Sequence, residues 1–368
     1  MPFLLLGCVL ALAFFNGAND VSKGIATLVG SGVTKLKTAI VWGTLWTLAG
    51  GVTAAFAAQG LVKAFGGSSL ISPAPDGAEF LIAVAVGALV WIGLATRTGM
   101  PVSTTHAITG SLIGVGLISV GVNGVQWAAL LQKFVLPLAV SPVLALVLTF
   151  LIFPMLNLGV GRLQKYCVCV NERTIGFATQ PPVAASTSIA TVVVGQSTDC
   201  GGSPRTVFLL NTLDSLHWLT AGLTSFARGL NDTPKIFALG AILGATLHFS
   251  AATGFVSVAL VMAAGGLLAG FRVTETLAQK VTRMSPAEGF SANLVTALLV
   301  IFASKLALPV STTHVSTGAI IGLGLKRGAR SIQWKTVREM LLAWIVTLPS
   351  AALIAAAVYW LLTKLHPA

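Results

Sequence analysis

The sequence predicts an all-α polytopic membrane protein made of two inverted-topology repeats with broken helices and re-entrant hairpins. Two observations lead to this fold class. Of the 368 residues, 55% are hydrophobic and only 9% are charged, and two polar motifs each occur twice along the chain. About a quarter of the residues of a soluble domain are charged, so most of this surface cannot face water. Backbone polar groups in a bilayer must be paired within the protein, so long apolar stretches predict membrane-spanning helices.

The basic residues lie in short hydrophilic gaps between the apolar stretches. A formal net charge of +12 is also typical of proteins that bind nucleic acid, but basic clusters between apolar stretches are the pattern of cytoplasmic loops. We therefore expect a multi-pass protein of the plasma (inner) membrane, surrounded by the lipid bilayer and without a nucleic-acid partner. The clusters are Lys35 and Lys37; Arg162, Lys165, Arg173 and Arg205; Arg272, Lys280 and Arg283; and Lys326, Arg327, Arg330, Lys335 and Arg338.

Two duplicated motifs divide the chain into homologous halves. The sequence Gly-Ala-Asn-Asp-Val-Ser-Lys at 17–23 returns as Gly-Leu-Asn-Asp-Thr-Pro-Lys at 229–235. The sequence Pro-Val-Ser-Thr-Thr-His at 101–106 returns unchanged at 309–314. Duplications of this kind indicate internal repeats.

The charge of the loops predicts that the two halves have opposite orientations. We expect an N-terminal transmembrane repeat over 1–155, a hydrophilic cytoplasmic linker without a spanning helix over 156–205, and an inverted C-terminal repeat over 206–368. A neutral loop follows the hairpin around Pro101, whereas basic loops flank the hairpin around Pro309. The first hairpin should therefore open to the outside and the second to the cytoplasm. Inverted repeats of this kind are the architecture of alternating-access transporters.

The Asn-Asp element of each half lies in apolar surroundings, where an unpaired carboxylate is costly. The glycine in front of it favours an unwound backbone with free carbonyl groups, so we expect the first apolar run to be one span broken at Gly17. Carboxylate, amide and carbonyl oxygens are hard ligands that suit Na⁺ or H⁺ rather than zinc or copper. The element therefore predicts a cation site in each half.

The Pro-Val-Ser-Thr-Thr-His element predicts the start of a helix. Pro is favoured in the first turn, and Ser and Thr hydroxyls cap the free backbone N–H groups. Those N–H groups carry a partial positive charge and bind anions. Two such starts that meet at the middle of the membrane would enclose one tetrahedral oxyanion, and such a cradle needs no cation in direct contact.

Each motif also has a structural alternative. The Asn-Asp elements could cap a helix, or the aspartates could form ion pairs with the lysines three residues further on. The Ser-Thr-Thr segments could serve as plain helix caps. The histidines that end the motif, His106 and His314, could be core residues or part of an ion path.

The doubled motifs resemble those of the inorganic phosphate transporter (PiT) family of sodium- or proton-coupled carriers, over both halves of the chain outside the linker. The resemblance implies a phosphate bound between two half-helix starts and sodium ions beside the Asn-Asp elements. On the matching positions, the phosphate contacts would be Ser103, Thr104, Thr105, Ser311, Thr312 and Thr313. The sodium ligands would be Asn19, Asp20, Asn231 and Asp232.

The second Asn-Asp element departs from the first, because Arg228 stands where the first half has Asn16. The two cation sites are therefore not expected to be equivalent, and Arg228 either weakens the second one or faces the phosphate. The other accessory candidates are Lys23, Arg97, His106, Lys235, Lys305 and His314.

These features together predict a sodium-coupled phosphate symporter that works by alternating access. A proton-coupled phosphate or sulfate permease is the alternative, with H⁺ in place of the co-transported Na⁺. An anion channel is disfavoured by buried carboxylates beside the anion site. An enzyme is disfavoured because a duplicated motif supplies no asymmetric catalytic set, and no cofactor is expected. For the assembly state we allow for a homodimer.

Overall fold

The computed structural model describes residues 1–73, 77–163, 166–177, 185–196, 206–280 and 284–365. Within these residues, seven helical segments are long and apolar enough to cross a membrane. The prediction of a polytopic helical membrane protein is therefore confirmed. The segments are Pro2–Gly30, Leu36–Ala57, Ala78–Thr98, Trp127–Gly159, Ala251–Ala269, Pro286–Lys305 and Trp334–Leu365. Of the basic residues assigned to loops, Lys165, Arg205 and Arg283 lie outside the described residues.

The helices of the first half follow the predicted apolar runs. Helix α5 ends at Gly99, whose φ of 76° is a left-handed conformation that favours glycine, and the chain turns there toward the hairpin tip. The helices are α1 (Pro2–Asp20), α2 (Ser22–Gly30), α3 (Leu36–Ala57), α4 (Gln59–Phe65), α5 (Ala78–Thr98), α6 (Thr104–Ser119), α7 (Trp127–Ala129) and α8 (Leu136–Leu163), with a π-helical turn over Leu130–Val135 between the last two.

The helices of the second half repeat this order. The long helix that corresponds to α5 begins with a capping box, in which the Ser285 hydroxyl accepts from the Glu288 N–H and the Glu288 carboxylate accepts from the Ser285 N–H. The helices are α9 (Thr212–Gly240), α10 (Leu243–Thr246), α11 (Ala251–Ala269), α12 (Phe271–Lys280), α13 (Pro286–Lys305), α14 (Thr312–Arg327) and α15 (Trp334–Leu365).

An antiparallel sheet, which we did not predict, is formed by the linker together with the first residues of the second repeat. Its strands are β1 (Tyr166–Phe177), β2 (Ala185–Gln196) and β3 (Thr206–Asn211), in the order β2-β1-β3. Thr, Val and Ile are enriched in these segments, and β-branched residues favour strands. A segment without an apolar run long enough to span the membrane can therefore still form regular β-strands.

The first span is interrupted at Val21, between α1 and α2, rather than at Gly17 as we predicted. Helix α1 continues to Asp20, and Val21 keeps helical dihedral angles while its N–H donates to the Gly17 carbonyl. In the second half, α9 runs without interruption through Asn231 and Asp232. The second Asn-Asp element therefore lies in a continuous helix, and the predicted unwinding is wrong there.

The predicted helix starts are correct at the serines. Ser103 and Ser311 are the N-caps of α6 and α14, and each hydroxyl accepts a hydrogen bond from the backbone N–H three residues further on. Pro101 and Pro309 lie two residues before the caps, so they belong to the hairpin tips and not to the first helical turn, where we had placed them.

The two halves pack against each other through reciprocal contacts. A Cβ atom at Gly17 would overlap the carbonyl of Met262 in α11, and one at Gly229 would overlap the carbonyl of Thr47 in α3. Helix α6 likewise packs on α15, and α14 packs on α8. Glycine at these crossings allows the helix backbones to approach closely, so the motif glycines serve helix packing.

We expect a larger side chain at such a crossing to destabilise the protein. Gly110→Val would drive its side chain into the Leu348 carbonyl, and overpacking typically costs about 1–3 kcal/mol. The thermal unfolding temperature in detergent should fall. Gly7→Val is the matched control, because outside the neighbouring backbone of its own helix no atom lies within 4 Å of a Cβ at Gly7. Equal unfolding temperatures for the two variants would contradict the packing role.

Candidate functional site

The tip of the first hairpin is held by Asn19. Its Nδ2 donates to the carbonyl of Met100 at 3.0 Å and to Thr96 Oγ1 at 3.2 Å. Its Oδ1 accepts from the N–H of Val102 at 3.2 Å. The side chain of Asn19 therefore satisfies the irregular backbone at the tip.

Asn231 also holds the second tip, with different atoms of its amide group. Its Nδ2 donates to the carbonyl of Val310 at 3.2 Å, and Ser304 Oγ donates to its Oδ1 at 3.3 Å. Both asparagines are fully buried. Their amide oxygens, which we predicted as sodium ligands, already accept hydrogen bonds from the protein.

The hydroxyl groups of each tip reach across to the other tip. Thr105 Oγ1 donates to the carbonyl of Val310 at 3.0 Å. Thr313 Oγ1 donates to the carbonyl of Val102 at 2.8 Å. The two predicted helix starts therefore meet, as the sequence led us to expect.

Buried charged residues surround the two tips. Lys23 forms an ion pair with Asp20, and Lys235 Nζ lies 3.3 Å from an oxygen of Asp232. These are the ion pairs that the sequence left open as an alternative. Lys235 Nζ also donates to Thr105 Oγ1 at 2.7 Å. An accessory candidate, Lys235, therefore contacts one of the hydroxyls predicted to bind the anion directly.

Arg228 and Asn16 join the two halves of this cluster. Arg228 Nη2 donates to Asn16 Oδ1 at 3.2 Å, and its Nε lies 3.9 Å from an oxygen of Asp232. Asn16 Nδ2 donates to Thr104 Oγ1 at 2.8 Å and to Asp20 Oδ2 at 3.3 Å. We did not predict a role for Asn16 itself, since it occurs in only one half.

The charge of the cluster favours an anion. Three cationic and two anionic side chains lie together, and each has at most 2% of its surface exposed. With all five ionised, the cluster carries one net positive charge. Because charges are weakly screened away from water, this excess would attract a small anion strongly.

The six predicted phosphate contacts are all buried at the tips, but their hydroxyls differ in role. Those of Ser103 and Ser311 accept the capping hydrogen bonds, and those of Thr105 and Thr313 cross between the tips. The hydroxyl of Thr104 lies 3.4 Å from a carboxylate oxygen of Asp20. Thr312 occupies the equivalent position in the second half.

Arg97 and Lys305 do not belong to the cluster, because both are exposed. Successive residues of a helix point about 100° apart, so the residue before each of them faces inward. Those residues, Thr96 and Ser304, bond the two asparagines. The signal that we missed was a hydroxyl residue at the same place in both repeats.

His106 and His314 pack against each other behind the tips, with ring centroids 4.6 Å apart, and His314 stacks on Trp344 at 3.8 Å. They help to line a cavity of about 370 Å³ that is separate from the charged cluster. Among the described residues, neither His106 Nδ1 nor His314 Nε2 has a hydrogen-bond partner. Neither histidine is part of the ion-pair network.

A sequence model of the phosphate transporter family matches residues 16–355, which include both copies of both motifs. The chain belongs to the phosphate transporter family. Family membership makes it a multi-pass transporter rather than an enzyme.

Relatives and a solved structure resemble this family member over nearly its whole length. Inorganic phosphate transporter 2-1 of Arabidopsis thaliana, a chloroplastic protein, is 28% identical over 96% of this chain and 71% of its own. A protein of Rhizobium meliloti, named as a probable low-affinity inorganic phosphate transporter, is 29% identical over 97% and 96%. A sodium-dependent phosphate transporter of known structure superposes with a TM-score of 0.79 over 99% of both chains at 24% identity, so it shares the fold.

In this family member the two flanks of the cluster differ in polarity. One turn beyond Lys23, Thr27 Oγ1 accepts from Asn293 Nδ2 at 2.7 Å and lies 3.0 Å from His217 Nε2. In the register of the repeats, Thr27 corresponds to Leu239, which lies in the main apolar core. The polar flank lies near the C-terminal end of α2 and the N-terminal ends of α9 and α13, which are the helix ends beside the basic loops.

We expect the ion pairs to stabilise the fold. Asp232→Asn leaves Lys235 and Arg228 without their carboxylate, and removal of one partner from a buried pair costs about 3–5 kcal/mol. The unfolding temperature in detergent should fall clearly. Asp214→Asn, a matched change near the start of the same helix, should leave it nearly unchanged. A fall as large for Asp214→Asn would argue against a special role for the buried pair.

Proposed function

We propose that this chain is a secondary active transporter that carries inorganic phosphate across the membrane by alternating access. The observation that supports this most is the buried cluster in which the two hairpin tips meet Lys23 and Lys235, with Arg228 beside them. It combines a net positive charge with helix N-termini and hydroxyl donors, which is the chemistry that binds a tetrahedral oxyanion. Its residues come from both repeats, so a relative movement of the repeats would change access to it.

The phosphate in this proposal contacts Ser103, Thr104, Thr105, Ser311, Thr312 and Thr313, with Lys23, Lys235 and Arg228 supplying charge. The hydroxyls can rotate from their present partners to the anion, because a hydroxyl can donate in several directions. The ammonium groups already touch both the carboxylates and the tips, so a small movement brings them to the phosphate. The predicted contact set is retained, with the three cations added.

Alternating access in this proposal follows from the inverted repeats 1–155 and 206–368. The reciprocal packing of the halves supports an internal two-fold relation, and the loop charges support its inverted sense. The polar flank around Thr27 and His217 leads from the cluster toward the basic loops, whereas the equivalent flank is apolar. This difference is expected when water can reach the binding site of a carrier from only one side of the membrane.

The co-transported cation has two candidates, and each has an observation in its favour. The structural neighbour is a sodium-dependent transporter, which supports Na⁺ at Asn19, Asp20, Asn231 and Asp232. The ion pairs of both aspartates with lysines support the proton, because a sodium ion would find these carboxylates already paired. In either case phosphate uptake should depend on an imposed ion gradient and should saturate with phosphate.

The opposite orientation of the repeats can be tested by labelling. In a chain without its native cysteines, Asn123→Cys should react with an impermeant thiol reagent only from outside, and Gly328→Cys only from inside. Both positions lie in exposed loops that follow the two hairpins. Labelling of both from the same side of the membrane would rule out the inverted topology.

The substrate can be tested by competition in proteoliposomes. Phosphate and arsenate at neutral pH carry an O–H group and sulfate carries none, while the Asp20 carboxylate beside Thr104 offers an acceptor at the tip. A site that bonds a substrate O–H can reject an analogue without it by up to about 10⁴-fold. Arsenate should therefore inhibit labelled phosphate uptake and sulfate should not. Equal inhibition by sulfate would instead support the sulfate permease, and no saturable uptake of phosphate would refute the proposed function.

A further inference from the structure

The ammonium groups of Lys23 and Lys235 lie among oxygen atoms of the kind that bind alkali metal ions. Lys23 Nζ contacts an oxygen of Asp20 and the carbonyl of Val102, the latter at 3.1 Å. Carboxylate and carbonyl oxygens are hard ligands, and such ligands suit hard cations such as Na⁺. Each lysine has at most 2% of its surface exposed, so neither ammonium group is solvated by bulk water.

The second ammonium group repeats this arrangement in the other half. Lys235 Nζ lies 3.3 Å from an oxygen of Asp232, 3.0 Å from the carbonyl of Val310 and 2.7 Å from Thr105 Oγ1. Both lysines stand three residues after the aspartate of their motif, and both donate to the valine carbonyl of a hairpin tip. A position for a cation is therefore built twice, and a side chain of the protein occupies it twice.

From this geometry we infer that Lys23 and Lys235 act as tethered cations in place of sodium ions, and that this transporter binds and carries phosphate without sodium. The inference rests on the proposed phosphate transport and names the cations of that same site. It replaces the sodium assignment that the sequence led us to expect for Asp20 and Asp232.

A sodium ion at either aspartate would have to lie close to the ammonium group. Two like charges at such a distance repel strongly where water is excluded. The tethered ammonium loses no translational freedom on binding, whereas a free ion does. Lysine therefore has the advantage in competition for the carboxylate, and sodium could bind only after the ammonium group had left.

The charge of the cluster also fits phosphate without an added cation. With one net positive charge on the five ionised side chains, bound H₂PO₄⁻ makes the centre of the protein neutral. Neutrality matters here because an uncompensated charge inside the membrane is costly. The driving force for uptake must then come from another ion, and a proton that enters with the phosphate meets this need.

The test compares phosphate binding by the purified, full-length wild-type protein in sodium-free choline medium and in sodium medium. A coupled cation typically changes the affinity of its partner by about 5- to 150-fold, so we expect the dissociation constant for labelled phosphate to differ by less than about twofold. Uptake into proteoliposomes should likewise proceed in choline medium. Binding that requires sodium would overturn the inference. No phosphate binding in either medium would instead refute the proposed function.

Lys23→Asn and Lys235→Asn extend the test. Each removes one tethered cation and leaves space beside the carboxylate, so phosphate binding without sodium should weaken by about tenfold or more, as expected for the loss of a charged group from a buried anion site. Addition of sodium should restore part of it. Lys63→Asn is the control, because Lys63 is exposed on α4, and it should behave like the wild type. Unchanged phosphate binding without sodium in both buried variants would overturn the role of the lysines. If a variant does not fold, the comparison of the wild-type protein in the two media still decides whether phosphate binding requires sodium.

Discussion

The carbonyl groups of Val102 and Val310 are the constraint on which this structure depends. Both lie in irregular backbone at hairpin tips in the centre of the helix bundle, where a carbonyl without a partner is costly. Val102 accepts from Lys23 and Thr313, and Val310 accepts from Lys235, Thr105 and Asn231. The donors come from both motifs and from both halves. The doubled motifs are therefore parts of one arrangement in which each half completes the tip of the other.

The same donors give the cluster its chemistry. Groups that hold two tips together by hydrogen bonds to carbonyls are the groups that could turn to an anion between the tips. The aspartates hold the lysines and Arg228 in place through ion pairs, so they act through electrostatics even where they do not touch a substrate. A site built in this way couples binding to the contact between the halves, which is what alternating access requires.

Much of this arrangement could be predicted from the sequence because it is duplicated. Repetition identified the capping serines, the threonines and the Asn-Asp pairs, and the structure brings all of them together. Features without a duplicate were missed, such as the bridge from Asn16 to Arg228. A second error came from the direction in which helical side chains point. We selected Arg97 for its charge, but Arg97 is exposed and its neighbour Thr96 is the residue that faces inward. The function of Gly17 was also ambiguous, because glycine permits unwinding and close helix packing alike.

The central claim is that one anion binds between the two tips, in contact with both halves. The most direct measurement is a crystal structure of the protein with arsenate, located by the anomalous scattering of arsenic. The account predicts a single arsenic peak between the segments 101–105 and 309–313, within hydrogen-bonding distance of hydroxyls from both. Separate peaks in each half, or a peak only outside the buried cluster, would contradict it.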